Sequence, residues 1–188
     1  MDLPGFADPA RDAQRAFRAV LAAMAEPGSL RMAGDDLIAP APLAPATAAV
    51  LLTLVDGDMS LAMDAATYPA HPWVIFHCGT TLTEPAKARF IVALDCPDLS
   101  TLPSGSDEAP EESSTLILQV RALGSGTPYC LSGPGLRSPM ILRADGLPAD
   151  FAAHWAANHA LFPRGIDIIL CAGATLVALP RSMTVENA

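Results

Sequence analysis

Lysine is all but missing from this sequence: ten of its eleven basic residues are arginine, and Lys87 is the one side-chain amine. Chemistry that needs a lysine nitrogen therefore has a single place to occur. The basic residues nowhere form a run, and twenty acidic side chains leave a formal charge of −9. Nucleic acids and anionic membranes are gripped by clustered Lys and Arg, so the charge pattern argues against both as partners. No apolar run approaches the roughly 20 residues of a membrane span. The opening Met1-Asp2-Leu3-Pro4-Gly5-Phe6 lacks the basic-then-apolar order of a secretory leader. A cytoplasmic protein is expected.

Paired cysteines are missing too. Cys78, Cys96, Cys130 and Cys171 stand 18, 34 and 41 positions apart, without the short spacing of a zinc site or a redox motif. Three lie in apolar strand-like runs, so buried free thiols are expected. No phosphate-binding loop ends in Gly-Lys-Ser/Thr, and Gly124-x-Gly126 lacks a third glycine and a following helix. There is no Gly-x-Ser-x-Gly elbow. His154 and His159 are five apart on an expected helix, which puts them on different faces and argues against a shared metal. The loop Ser104–Ser114 carries Asp107, Glu108, Glu111 and Glu112 without the spacing of a calcium loop, and reads as solvated.

What is present is apolar: 51% of the 188 residues are hydrophobic and 16% charged, with 18 prolines and 13 glycines to turn the chain. That length suits one domain, residues 1–188, able to bury about 70% of its unfolded surface. Asp8-Pro9 reads as an N-cap followed by proline at the first helical position. Ala13, Phe17, Val20, Leu21 and Met24 predict one buried helix stripe up to a stop at Glu26-Pro27-Gly28. A second helix from Pro45 to Leu54, apolar nearly all round, is expected to be buried on more than one side. Met59–Met63, Trp73–His77, Phe90–Leu94, Thr115–Val120, Tyr129–Leu131, Ser138–Leu142, Ile166–Cys171 and Leu176–Leu179 read as strands. A short helix over Thr83–Arg89, an Ala-rich helix over Pro148–Leu161 and a polar tail after about residue 181 complete the expectation. The fold class is α/β, a single layered domain with a mixed β-sheet flanked by helices.

Candidate site residues are few. Between strands, Gly133-Pro134-Gly135 fixes one φ and frees its two neighbours, giving a bare turn that a ligand or another chain can approach. Arg164 and Arg181 each follow a proline at the edge of a buried strand. Guanidinium groups on rigid turns suit phosphate or phosphonate oxygens, while a salt bridge to a carboxylate is their commoner fate. Asp167 either orients a hydroxyl or caps backbone N–H groups. His77 beside Cys78 reads as structural, since neighbours on a strand face opposite ways.

Several motifs occur in a telling order. Phe17-Arg18-Ala19-Val20 with Met24-Ala25-Glu26-Pro27-Gly28 comes first, then Gly105-Ser106-Asp107-Glu108-Ala109-Pro110 and Ser114-Thr115-Leu116. Leu131-Ser132-Gly133-Pro134-Gly135-Leu136, Phe162-Pro163-Arg164-Gly165-Ile166-Asp167 and Ala178-Leu179-Pro180-Arg181 follow. Together, from about Phe6 to Arg181, they resemble the H subunit family of the bacterial carbon–phosphorus lyase system. The resemblance implies a cytoplasmic core complex with the G, I and J subunits. With the L subunit, these would support formation of α-D-ribose 1-alkylphosphonate 5-triphosphate from ATP and an alkylphosphonate. It implies a required but noncatalytic homodimer, with no catalytic set to transfer, and a fold resembling the large domain of pyridoxal-phosphate-dependent transferases without use of that cofactor. The residues agree on the last point, since a Schiff base needs a lysine and Lys87 is expected on a solvent-facing helix. No metal or cofactor residue is assigned. Gly133, Pro134, Gly135, Arg164, Asp167 and Arg181 stand as a ligand or interface edge, and two readings stay open: a docking subunit, or a subunit with its own anion pocket.

Overall fold

The apolar runs at the centre of the chain pair with one another. This computed structural model describes residues 3–188, and in it strands β2 (Leu61–Met63), β3 (Phe90–Ala93), β4 (Thr115–Gln119) and β7 (Asp167–Ala172) lie parallel and adjacent. β8 (Thr175–Leu179) folds back antiparallel on β7, and the two-residue β1 (Arg31–Met32) closes that side, giving the order β1-β8-β7-β4-β3-β2. The alternation along these strands divides the core in two. Ile117, Ile169 and Cys171 face one layer, while Leu116, Leu118, Ile168 and Leu170 face the other. A parallel strand covered on both faces reads as a continuous apolar run, as these do.

The first layer holds three helices. α1 (Pro9–Ala25) starts where Asp8 accepts from Arg11 N, with Pro9 at its first position. Its buried stripe is Ala16, Val20 and Ala23, so the expected stripe is rotated: Phe17 and Leu21 are 49% and 56% exposed. α2 (Pro45–Leu54) is buried from Ala46 to Leu51, as its composition predicts. The run Trp73–His77, expected as a strand, is instead α3 (His71–Cys78). Pro72 in its first turn and Gly79 at φ 65 after its end are helix punctuation that outweighs a short apolar run. His77 Nε2–H and Trp73 Nε1–H both donate to the Leu3 carbonyl, at 3.2 and 3.0 Å. Thr83–Arg89 forms only a 3-10 turn, Pro85–Lys87.

The second layer differs most from expectation. The chain continues β5 (Ala122–Ser132) straight through Gly124-Ser125-Gly126, which form a bulge rather than a turn between two strands. β5 pairs on one side with β6 (Met140–Asp145) and on the other with β9 (Thr184–Asn187), so the expected polar tail is a strand. Val185 is buried and alternates with polar neighbours, a pattern too short to signal itself. The expected single mixed sheet is therefore two sheets, one mixed with six strands and one antiparallel with three. Against the small sheet packs α4 (Phe151–His159), shorter than its expected range, burying Phe151 and Trp155 fully. No described helix is long and apolar enough to cross a membrane.

One buried polar side chain fixes how α4 hands over to β7. Asn158 Nδ2 donates to Ile166 O (3.0 Å), and Ile166 N donates to Asn158 Oδ1 (2.8 Å). Gly165 lies between them at φ +109, where an added Cβ would stand 2.9 Å from Asn158 O. Asn158→Ala leaves both Ile166 groups buried without partners, so a loss of about 2 to 4 kcal/mol in urea unfolding is expected.

Candidate functional site

Strands β3, β4 and β7 begin in register at Phe90, Thr115 and Asp167, which puts Asp167 at the amino edge of the large sheet. Arg181 follows β8, which runs the opposite way, and so returns to that same edge. There Asp167 Oδ1 accepts from Arg181 N (2.7 Å) and Nε (3.2 Å), and Oδ2 accepts from Nη2 (2.5 Å). Arg181 Nη1 donates to Pro110 O (2.8 Å), tying down the acidic loop. The two side chains are 16% and 19% exposed. Arg164 Nε stands 3.0 Å from Asp107 Oδ1 of that loop. Arg181 therefore holds Asp167, which meets a backbone N–H as well as a guanidinium, whereas Arg164 Nε is buried without a hydrogen bond and has Asp107 beside it only as a counter-charge.

The glycine turn joins this group through the β8–β9 connection. A Cβ on Gly133 would stand 3.0 Å from Met183 Sδ, and one on Gly135 2.6 Å from Ala25 O at the exit of α1. Both have positive φ, so close packing of the turn against two elements demands glycine there. Gly133, Pro134 and Gly135 remain exposed. Asp167 and Arg181 are thus joined directly, Gly133 meets Ser182 and Met183 just after Arg181, and Gly135 lies at the exit of α1.

In open α/β sheets ligands lie beyond the carboxyl ends of the strands. That edge holds a hollow of about 400 Å³ lined in part by Ala44, Asp95, Gln119, Arg121, Gly146 and Gly173, which sequence reasoning did not single out. Gln119 is the signal that was there to find, a polar residue closing an apolar strand. Its Oε1 accepts from Ala44 N (2.6 Å) and Thr47 Oγ1 (2.9 Å), and its Nε2 donates to Pro42 O (2.9 Å). Arg121 grips Asp145 with two bonds, Nε at 3.0 Å and Nη2 at 2.7 Å, and holds its carboxyl below the usual carboxylate range. Gln119 and Arg121 are thus both committed to protein partners.

Other reactive side chains are dispersed. Lys87 is exposed and pairs with Glu84 at 3.2 Å. His154 Nε2 lies 3.3 Å from Asp150, and His159 Nδ1–H donates to Arg181 O (2.9 Å), so each serves its own neighbourhood. Among the described residues no three His, Cys, Asp or Glu side chains gather as a metal site. Cys78 and Cys171 are buried, in α3 and β7, whereas Cys96 and Cys130 are half-buried. Burial pushes the Cys78 thiol up to about 11 and the Cys171 thiol to about 12. Below pH about 8.5 these thiols are protonated folded and unfolded alike. Above it the unfolded chain loses their protons first, so stability falls as pH rises, approaching about 1.4 kcal/mol per pH unit for each thiol. Urea unfolding at pH 8 and pH 10 should show this fall, and Cys171→Ala should remove that thiol's share of it while Cys78 keeps its own.

The chain matches the family model described as bacterial phosphonate metabolism protein (PhnH) over residues 4–186. It belongs to the PhnH family. Across 190 aligned residues it is 38% identical to the alpha-D-ribose 1-methylphosphonate 5-triphosphate synthase subunit PhnH of Rhizobium meliloti (strain 1021), covering 97% of this chain and 94% of that protein. It is 29% identical over 170 residues to the putative C-P lyase subunit protein HtxG of Stutzerimonas stutzeri, covering 90% and 83%. The PhnH match takes in the amino-edge rim and the carboxyl-edge hollow together.

Proposed function

We propose that this protein is a noncatalytic but required subunit of a carbon–phosphorus lyase assembly in the cytoplasm. It supports formation of α-D-ribose 1-alkylphosphonate 5-triphosphate from ATP and an alkylphosphonate. The observation that carries this is the near full-length identity to a relative named as a subunit of the methylphosphonate triphosphate synthase. The chain acts as a homodimer beside G, I, J and L subunits, presenting apolar side chains such as Phe17 and Leu21 on the open face of α1. An antiparallel strand set into a parallel sheet supports likeness to the large domain of pyridoxal-phosphate-dependent transferases, with no role for that cofactor. The rim from Gly133 to Gly135 with Arg164, Asp167 and Arg181 is an interface edge on this reading. Asp167 already occupies the Arg181 guanidinium, and Asp107 stands as a counter-charge beside that of Arg164, which favours an interface edge over an anion pocket.

Reconstitution tests it. Subunits G, I and L with ATP and methylphosphonate are expected to yield the triphosphate product only when this chain is present, and calorimetry of the chain alone should show no binding of either substrate. Turnover by the purified chain alone overturns the proposal. Tight phosphonate binding that Arg164→Ala abolishes gives the anion-pocket reading instead.

A further inference from the structure

The small sheet ends in an open strand. β6 pairs with β5 along one edge, and among the described residues no strand pairs with the other. Pro128 stands opposite Arg143 in that ladder. Lacking an N–H, it cannot be half of a pair exchanging two hydrogen bonds, and its carbonyl accepts from Ala188 N on the β9 side (3.4 Å). The alternation of an antiparallel ladder then turns the backbone groups of Met140 and Leu142 towards β5, and those of Ile141 and Arg143 outwards. Proteins normally guard such an edge with proline, charged side chains or a bulge; here Pro139 lies just before Met140–Asp145, the bulge is on β5, and Arg143 is the charge on the strand's open side.

Beside the edge runs a groove of about 280 Å³ walled by Ser29, Leu30 and Gly124 on one side and Met140 to Arg143 on the other. Leu30 and Ile141 are 51% and 50% exposed. Arg137 and Arg143 are both exposed, and among the described residues neither is in an ion pair. Arg143 has only a long contact to Gly126 O, 3.5 Å. On a chain of net charge −9, two guanidiniums without carboxylates beside an open edge favour an acidic occupant.

We propose that β6 accepts an extended, acidic segment of a partner polypeptide as a fourth strand of the small sheet. Main-chain bonds at Ile141 and Arg143 supply the pairing, an apolar side chain enters the groove against Leu30, and carboxylates face Arg137 and Arg143. A second copy of this chain fits less well: β6 pairing with itself about a two-fold axis in its central registers sets Arg143 opposite or diagonal to its own mate. The proposal rests on the reading of the chain as a subunit.

Amide hydrogen exchange of the full chain, alone and co-expressed with the neighbouring lyase subunits, tests it. In the assembly the Ile141 and Arg143 amides should slow by about tenfold or more, while Met140 and Leu142, already bonded to β5, change little. An assembly that forms with exchange at Ile141 and Arg143 unaltered overturns the strand addition and leaves the subunit reading intact. If no assembly forms, the subunit reading falls, and a capped peptide alternating valine and glutamate, titrated onto the chain alone, decides the edge. Slowed exchange at Ile141 and Arg143 supports it, and none overturns it. Protection of the chain alone that grows with its concentration identifies a second copy as occupant and overturns the proposed partner.

Discussion

Replacing Trp155 by alanine is expected to destabilise the protein by about 4 kcal/mol, which is much of the roughly 5 to 15 kcal/mol that holds a domain together. The side chain is fully buried, its ring 6.2 Å from that of Phe151, which in turn meets Tyr129 edge-on at 5.7 Å. Its Nε1–H donates to Met183 O (2.8 Å), the residue before β9. Trp155→Ala therefore opens a cavity and strands a buried carbonyl at the root of the last strand. Trp155→Phe keeps most of the volume and loses the bond, so about 1 to 2 kcal/mol is expected. Urea unfolding measures both. Exchange of the Thr184–Asn187 amides should rise more in the alanine variant than elsewhere in the fold. A loss below about 1 kcal/mol for Trp155→Ala would mean that the layer between α4 and the small sheet does not hold the chain end.

That layer was also the least legible part of the sequence. Central strands such as Thr115–Gln119 and Asp167–Ala172 announce themselves because both faces are buried, so Leu116 to Leu118 and Ile168 to Ala172 are apolar without a break. Thr184–Asn187 has one buried side chain, Val185, and its strand character comes from pairing with β5 across more than fifty residues. No local window contains that partner. Gly124-Ser125-Gly126 misleads for the opposite reason: turn residues also build a bulge, and only the register of β6 separates the two. Phe17 and Leu21 extend the apolar periodicity of α1, yet the sheet meets Ala16, Val20 and Ala23, because small side chains let the helix approach closely. The candidate rim was half legible. Proline-flanked arginines at strand edges mark fixed guanidiniums, but whether each meets a carboxylate depends on Asp107 and Asp167, brought in by separate segments.

Arg181→Ala carries the second large effect, an expected loss of about 3 kcal/mol, because it leaves Asp167 little exposed and without its guanidinium. The same change frees Pro110 O and with it one anchor of the acidic loop. Asp167→Ala should cost a similar amount, since the cation is then the stranded partner and the Arg181 N–H loses its acceptor. The double variant removes both charges together, so it should be less unstable than the sum of the two by about 2 kcal/mol, a coupling that urea unfolding of all four proteins measures. Assembly then separates the clamp from the interface edge. A contact with another chain at this rim weakens assembly even when low temperature or osmolyte restores the fold, whereas a purely internal clamp lets the refolded variant assemble normally. Conservative Arg181→Lys decides the geometry: lysine keeps the charge but cannot span Asp167 and Pro110 in one planar fork, so it should recover less than half of the lost stability.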